Sequence, residues 1–167
     1  FRRVLFRSVR RLNERHIIVD GSHTGHRSTM EAIELSTRPF VFSHANAHAV
    51  HASRRNIRDD QIRACAQTGG LVGVNGFPGF LGESARPAID DFLRHLDHMV
   101  AVAGIDHVGL GIDYYEGMHP VADAGEAGKF FAQQLAVRRW SADNYPPPPH
   151  HYPDAIPTPR ELPALTA

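Results

Sequence analysis

Four short apolar, β-rich runs recur along the chain, each separated from the next by a segment of helical periodicity. That alternation restricts the fold more than any other feature of the sequence. The runs are His16–Asp20, Pro39–Ser43, Leu71–Asn75 and His107–Asp113. Arg27–Ser36 lies between the first pair, with Met30, Ile33 and Leu35 roughly on one face. Ile57–Thr68 follows, with Asp59 or Asp60 as N-cap and Gly69-Gly70 as the stop. Ile89–Ala103 separates the last pair, turns Phe92, Leu93, Leu96, Met99 and Val100 inward, and ends at Gly104. The order is β-α-β-α-β-α-β. Strands that are nearly all apolar are those of a parallel sheet covered on both faces, and the connections are long enough for crossover helices. The expectation is an α/β protein with four parallel strands, either doubly wound or a barrel. Both architectures place ligands beyond the C-terminal ends of the strands.

Each run ends in a polar residue with useful chemistry. The first gives Asp20 and then His23, the second His44, the third Asn75 and the fourth Asp113. On a parallel scaffold these ends are neighbours, so two imidazoles and a carboxylate converge from strands far apart in sequence. Imidazole with carboxylate suits Zn²⁺ and similar metals. The chain holds 12 histidines, so chance placement near strand ends competes with a metal site. His95-Leu96-Asp97 spells a His-x-Asp pair, but inside the predicted helix, where residues two apart diverge; it is rejected as a site. His48 and His51 fall in the loop after His44 as surface or supporting residues.

The rest of the chain is less regular. Lys129–Trp140 is compatible with one more helix, and Tyr145–Pro159 is proline-rich and reads as a surface excursion. Cys65, the only cysteine, sits in an apolar helical pattern and is expected to be a buried, inert thiol. Residues 1–15 carry six arginines and one acid, leaving a net charge of −5 on the remainder. A basic arm can bind nucleic acid. Here it begins with Phe1, not Met, and residues 1–8 read like translated adapter sequence, so they are expected to be a non-native leader and no nucleic-acid partner is assigned. No apolar run reaches the roughly 18 residues that span a bilayer. The expected division is a leader (1–8), a catalytic half-barrel (9–117) and an irregular proline-rich segment (118–167).

Several segments, in order, resemble the membrane (renal) dipeptidase family. Asp-Gly-Ser-His-Thr-Gly (20–25) resembles its Asp-x-Ser-His segment, and Arg-Pro-Phe-Val-Phe-Ser-His-Ala-Asn-Ala (38–47) is similar to its Phe-Ser-His-Ser-Asn-Ala segment. Ser-Arg-Arg-Asn (53–56), Thr-Gly-Gly-Leu-Val-Gly-Val-Asn (68–75) and Gly-Ile-Asp-His-Val-Gly-Leu-Gly-Ile-Asp (104–113) follow. The resemblance runs from Val9 to Gly117. It implies the C-terminal half of a TIM-like (β/α)₈ barrel and a zinc metallopeptidase that hydrolyses dipeptides through a hydroxide bridging two zinc ions. Carried over by position, His23 and His44 would ligate one zinc, Arg55 would hold the substrate carboxylate, and Asp113 would shuttle the proton. The family's His-x-Asp pair, bridging glutamate and further histidine have no counterpart here, and Tyr114-Tyr115-Glu116-Gly117 stands where the family reads Phe-Asp-Gly.

The expected partner is therefore a dipeptide or similar small substrate, with no transmembrane segment in this stretch, and a homodimer is compatible with the sequence. By itself the chain, with two ligands and an open half-barrel, is expected to be inactive and aggregation-prone. Two alternatives stay open: a metal-dependent amidohydrolase acting on N-acyl amino acids or similar carboxylate-bearing amides, and a non-catalytic homologue that has lost the metals.

Overall fold

The computed structural model describes residues 2–114, 124–142 and 145–166. Within them lie helix α1 (Arg2–Glu14), strand β1 (Val19–Asp20), α2 (His26–Leu35), β2 (Phe40–Ala45), α3 (Asp59–Gln67), β3 (Leu71–Val74) and the single turn α4 (Pro78–Leu81). Then come α5 (Ile89–Ala103), a 3₁₀ turn (Ile105–His107), β4 (Val108–Leu110), α6 (Ala124–Ala136) and a terminal 3₁₀ segment (Pro159–Thr166).

The strands form one parallel sheet in the order β1-β2-β3-β4. A doubly wound sheet reverses its order at a switch point. This one does not, which decides between the two architectures in favour of half a barrel. The helices meet in matching order, α1 on α2, α2 on α3 and α3 on α5, as one layer over the sheet. Between the layers lie Phe40, Phe42, Ile62, Cys65, Val72, Val74, Phe92 and Met99, all essentially inaccessible to solvent. At the two edges of the sheet, Ile18, just before β1, and Leu110 in β4 are exposed.

The element boundaries depart from sequence expectation for identifiable reasons. β1 shortens to two residues because it pairs only with β2, through Val19 and Asp20. Ile57 does not start α3. It bridges Ala47 in the loop after β2, its N–H donating to the Asn46 carbonyl at 2.8 Å. Neither Asp59 nor Asp60 is the N-cap. Arg58 takes that place, its N–H held by the Gln61 side chain at 3.0 Å, while both acids occupy the first turn, where the helix dipole favours them. Residues 2–8 of the expected leader are helical, and α1 docks through the buried Val9 and Asn13. The proline-rich stretch is not a surface excursion: Tyr152 and Ile156 are buried in the core. The expected boundary at 117/118 and residues Tyr115–Gly117 lie outside the described residues.

Two local features aim β2 at the rim. Phe42 pairs with Val72 and Ala45 with Val74, so β2 fits one extra residue between them, a bulge at Ser43–His44. Bulges bend a strand and re-aim its side chains. Opposite the bulge are Gly73 and Gly111. A Cβ on either would lie 2.3 or 2.0 Å from the Ser43 carbonyl oxygen, so only glycine lets the strands approach.

Candidate metal and carboxylate site

The C-terminal ends of β1, β2 and β4 and the loop before α3 bring the four sequence-assigned residues together. His23 Nε2 lies 2.7 Å from His44 Nε2. Arg55 Nη2 lies 3.2 Å from His23 Nε2. Asp113 Oδ2 stands 4.0 Å from His44 Nε2. His23 and Asp113 both adopt left-handed backbone, with φ of 64° and 69°. Non-glycine residues seldom do so, and such strain clusters at functional sites.

The electrostatics follow from these neighbours. Partial burial lowers the His23 pKa, and the adjacent Arg55 and His44 lower it further against the pull of Asp113 and Asp20. Arg55 packs its guanidinium over the Phe80 ring at 5.1 Å, with Tyr145 at 6.0 Å on the proline-rich segment. A cavity of about 470 Å³ opens beside the histidine pair and is lined by Arg54, Arg55 and Arg58, a lining that suits an anionic group. A larger groove of about 910 Å³, between α1 and α2, draws none of its lining from the strand ends.

Behind these groups is a network to which the sequence reading assigned no role. Asp20 Oδ1 accepts the Ser22 and Ser43 N–H groups at 2.9 and 3.1 Å, and Oδ2 accepts the Ser43 hydroxyl at 2.5 Å. Burial raises the Asp20 pKa, but the bonds from Ser43 and Ser22 outweigh it and hold the carboxyl below its usual range. Ser43 Oγ lies 2.9 Å from His44 Nδ1. The buried Asn46 side chain clamps Asn75, donating to its carbonyl at 2.9 Å and accepting its N–H at 3.0 Å. Asn75 in turn donates to Asp113 Oδ2 at 3.3 Å. The Tyr152 hydroxyl donates to the Asp113 carbonyl at 2.7 Å; burial, with Asp113 and Tyr114 nearby, raises its pKa and keeps it protonated.

The rejected His95 is structural. It is fully buried, accepts the Ala47 N–H on Nδ1 at 3.0 Å and faces the Leu81 carbonyl with Nε2 at 3.2 Å. It therefore braces the loop that follows His44. Its signal in the sequence was its place on the inward face of Ile89–Ala103. The signal for Ser43 was its position directly before His44, one strand over from Asp20.

The donor chemistry fits a metal in part. Arg55 always donates, so His23 Nε2 accepts from it and carries a lone pair, the form a metal ligand needs. Two imidazole nitrogens on one tetrahedral zinc sit about 3.3 Å apart, from Zn–N near 2.05 Å, so the rings need to part only slightly from 2.7 Å. Among the described residues, no group of three or more His, Cys, Asp or Glu side chains is poised to hold a metal. The two histidines fit as part of a ligand set.

A parallel half-barrel with imidazole, guanidinium and carboxylate groups at its C-terminal rim defines a metallohydrolase-type scaffold. The profile of the membrane dipeptidase family, peptidase family M19, matches residues 7–144, and the chain belongs to that family. It is 38% identical over 105 residues to an uncharacterized dipeptidase of Schizosaccharomyces pombe, a match covering 62% of this chain and 25% of that one. A metallopeptidase from Rhodobacter sphaeroides, solved with a phosphinate mimic of the dipeptide L-Ala-D-Ala, superposes with a TM-score of 0.61 at 34% identity, over 80% of this chain and 39% of that one. An amidohydrolase from Pseudomonas aeruginosa superposes with a TM-score of 0.74 at 26% identity, over 96% and 47%. The chain thus spans a quarter to about half the length of these relatives. Among the described residues no helix is long and apolar enough to cross a membrane.

Proposed function

We propose that the chain forms the half of a dipeptide-hydrolysing metalloenzyme that binds one zinc ion and the substrate carboxylate. The observation that carries this reading is the cluster itself: two imidazole nitrogens face each other, with a guanidinium nitrogen and a carboxylate oxygen within 3.2 and 4.0 Å of the pair. Family membership and the dipeptide mimic in the Rhodobacter relative support it. His23 and His44 would hold the ion through their Nε2 atoms. When bound, zinc supplies Lewis acidity toward a carbonyl oxygen and lowers the pKa of a coordinated water.

The other residues act around that centre. Arg55 receives the terminal carboxylate of the substrate, for which its fork is shaped. In a dipeptide, only the Cα and amide nitrogen of the last residue separate that carboxylate from the scissile carbonyl. Anchoring at Arg55 therefore sets the carbonyl beside the imidazole pair. The rings of Phe80 and Tyr145 limit the guanidinium's movement. Asp113, oriented by Asn75 on Oδ2 and by Tyr152 on its backbone, takes the proton from the attacking water and returns it to the leaving amine nitrogen.

The test is a substrate panel on the zinc-loaded protein that carries this chain. It holds dipeptides with L- or D-residues at the C-terminal position, their C-terminal amides, and N-acyl amino acids. Free dipeptides should be cleaved and amidated ones should not. Arg55→Met should raise KM for free dipeptides on the order of 10–100-fold, the loss of a charged hydrogen bond, and Asp113→Asn should lower kcat on the order of 100-fold or more. Preferential cleavage of N-acyl amino acids would move the protein to the amidohydrolase alternative. Cleavage of amidated dipeptides at full rate would overturn the role of Arg55.

A further inference from the structure

We propose that the cavity beside the histidine pair selects dipeptides whose C-terminal residue carries an anionic side chain, aspartyl or glutamyl, and that Arg54 and Arg58 receive this second carboxylate. The proposal rests on Arg55 holding the substrate's terminal carboxylate, and it adds a substrate class to that reading.

Charge in the cavity is one-sided. The space of about 470 Å³ is lined by Arg54, Arg55 and Arg58 and, among the described residues, by no acid. A terminal carboxylate answers one guanidinium, and two more line the same space. Elsewhere the arginines of the helix layer are answered locally. Arg27 pairs with Glu31, Arg63 with Asp59 and Arg94 with Asp91, each three or four residues away in its own helix. Arg58 has acids even nearer in sequence, Asp59 and Asp60, but both are taken. Asp59 Oδ1 lies 2.8 Å from His98 Nε2 on α5, and Asp60 Oδ2 lies 2.8 Å from His26 Nε2 on α2. Those contacts tie the two carboxylates to the neighbouring helices. Among the described residues neither Arg54 nor Arg58 has an ion-pair partner, and both are exposed.

The place of these two arginines suits a side chain of the last substrate residue. Arg54 directly precedes Arg55, and Arg58 is the last residue before α3. In a dipeptide that side chain branches from the Cα that bears the terminal carboxylate. With the carboxylate on Arg55, a side chain that turns into the cavity enters the space that Arg54 and Arg58 line. A guanidinium fork matches a carboxylate there. A neutral amide of the same shape lacks the charge, and a lysyl side chain meets like charge.

The test compares isosteric substrates on the zinc-loaded protein that carries this chain. Ala-Glu and Ala-Asp, with the last residue in either configuration, are set against Ala-Gln and Ala-Asn. The acidic member of each pair should have the higher kcat/KM, on the order of 5–20-fold, as two exposed ion pairs allow. The preference should shrink toward parity at about 1 M salt. In the Arg54→Gln/Arg58→Gln variant it should fall to about twofold or less. Arg54→Glu/Arg58→Glu should reverse it, with Ala-Lys cleaved faster than Ala-Glu, an inversion that a damaged fold does not produce. Circular dichroism melts check that each variant is folded; should the double variants unfold, the single Arg58→Gln carries the test. Equal kcat/KM for Ala-Glu and Ala-Gln in the wild type, or a preference that survives in the glutamine variant, overturns the proposal. Should no dipeptide be cleaved, the dipeptidase reading falls, and calorimetric titration of Ala-Glu and Ala-Gln into the zinc-free protein decides the anionic subsite: tighter binding of Ala-Glu supports it, and equal or absent binding refutes it.

Discussion

Replacing His95 with phenylalanine should remove an acid-sensitive limb from the stability of this chain. His95 is fully buried on α5, and burial is the main reason its pKa falls to about 4; the Leu81 carbonyl opposes that, and His51, Arg94 and His98 add to it. In the unfolded chain a histidine titrates near 6.5. The folded pKa is thus depressed, so the unfolded state binds the proton first as pH falls. The neutral imidazole's full contribution is present above about pH 6.5 and is lost between there and about 4, with no further loss below. The gap of about 2.5 units corresponds to about 3 kcal/mol, at a slope approaching 1.4 kcal/mol per pH unit. At pH 8 the variant should be less stable by about 2–5 kcal/mol, because it leaves the Ala47 N–H and the Leu81 carbonyl without partners in the core. Urea unfolding followed by circular dichroism from pH 8 to 4.5 reads both effects. The deficit should shrink as the medium is acidified. A deficit that stays constant across the window would show that His95 does not titrate as its burial demands.

Three further outcomes follow from the packing. Gly111→Ala sets a Cβ 2.0 Å from the Ser43 carbonyl oxygen and should lower stability by about 1–3 kcal/mol in a circular dichroism melt; an unchanged melt would mean the strands are not in close contact there. Asn46→Ala strips both groups from the Asn75 backbone and should cost about 2–4 kcal/mol in urea unfolding, whereas a surface asparagine would cost almost nothing. Cys65 is buried, its S–H faces the Phe40 carbonyl at 3.0 Å, and burial pushes its pKa up to about 12. It should therefore react with a thiol reagent only as fast as the chain unfolds, and rapid labelling of the native chain would contradict that environment.

Periodicity made the helices and strands readable where packing and local preference agree. Ile89–Ala103 was delimited at both ends because its apolar stripe begins after Ala88 and stops at Gly104, which has φ of 90°. It failed where tertiary contacts override local pattern. Ile57 looks like the first residue of a helix but is captured by the backbone on either side of Ala47. Tyr152 and Ile156 sit among prolines that signal an excursion, yet only long-range packing could show that they reach the core. The sequence set His23, His44 and Asp113 at neighbouring strand ends and Arg55 in a loop beside them, and the structure brings the four side chains together; their roles are those proposed above. The Asp20–Ser43 bond was not legible, because the position of Ser43 before His44 marks it as a neighbour of the site but does not say that its hydroxyl turns to Asp20. The left-handed backbone at His23 and Asp113 left no signature either, since positive φ is uncommon for any residue other than glycine and no turn pattern marks it at these two positions.

The extra residue in β2 also has a consequence for parity. Side chains on a regular strand alternate faces, so positions an odd number apart lie on opposite sides. Phe42 and Ala45 are three apart and both buried, while their partners Val72 and Val74 keep an even count. Deleting Ser43, which with His44 makes up the bulge, would restore the even count and leave the hydrophobic lining intact. It would also remove the kink that turns His44 toward His23. Such a deletant should fold with a sound interior and a disassembled rim, a separation of architecture from chemistry that point substitution at His44 itself does not give.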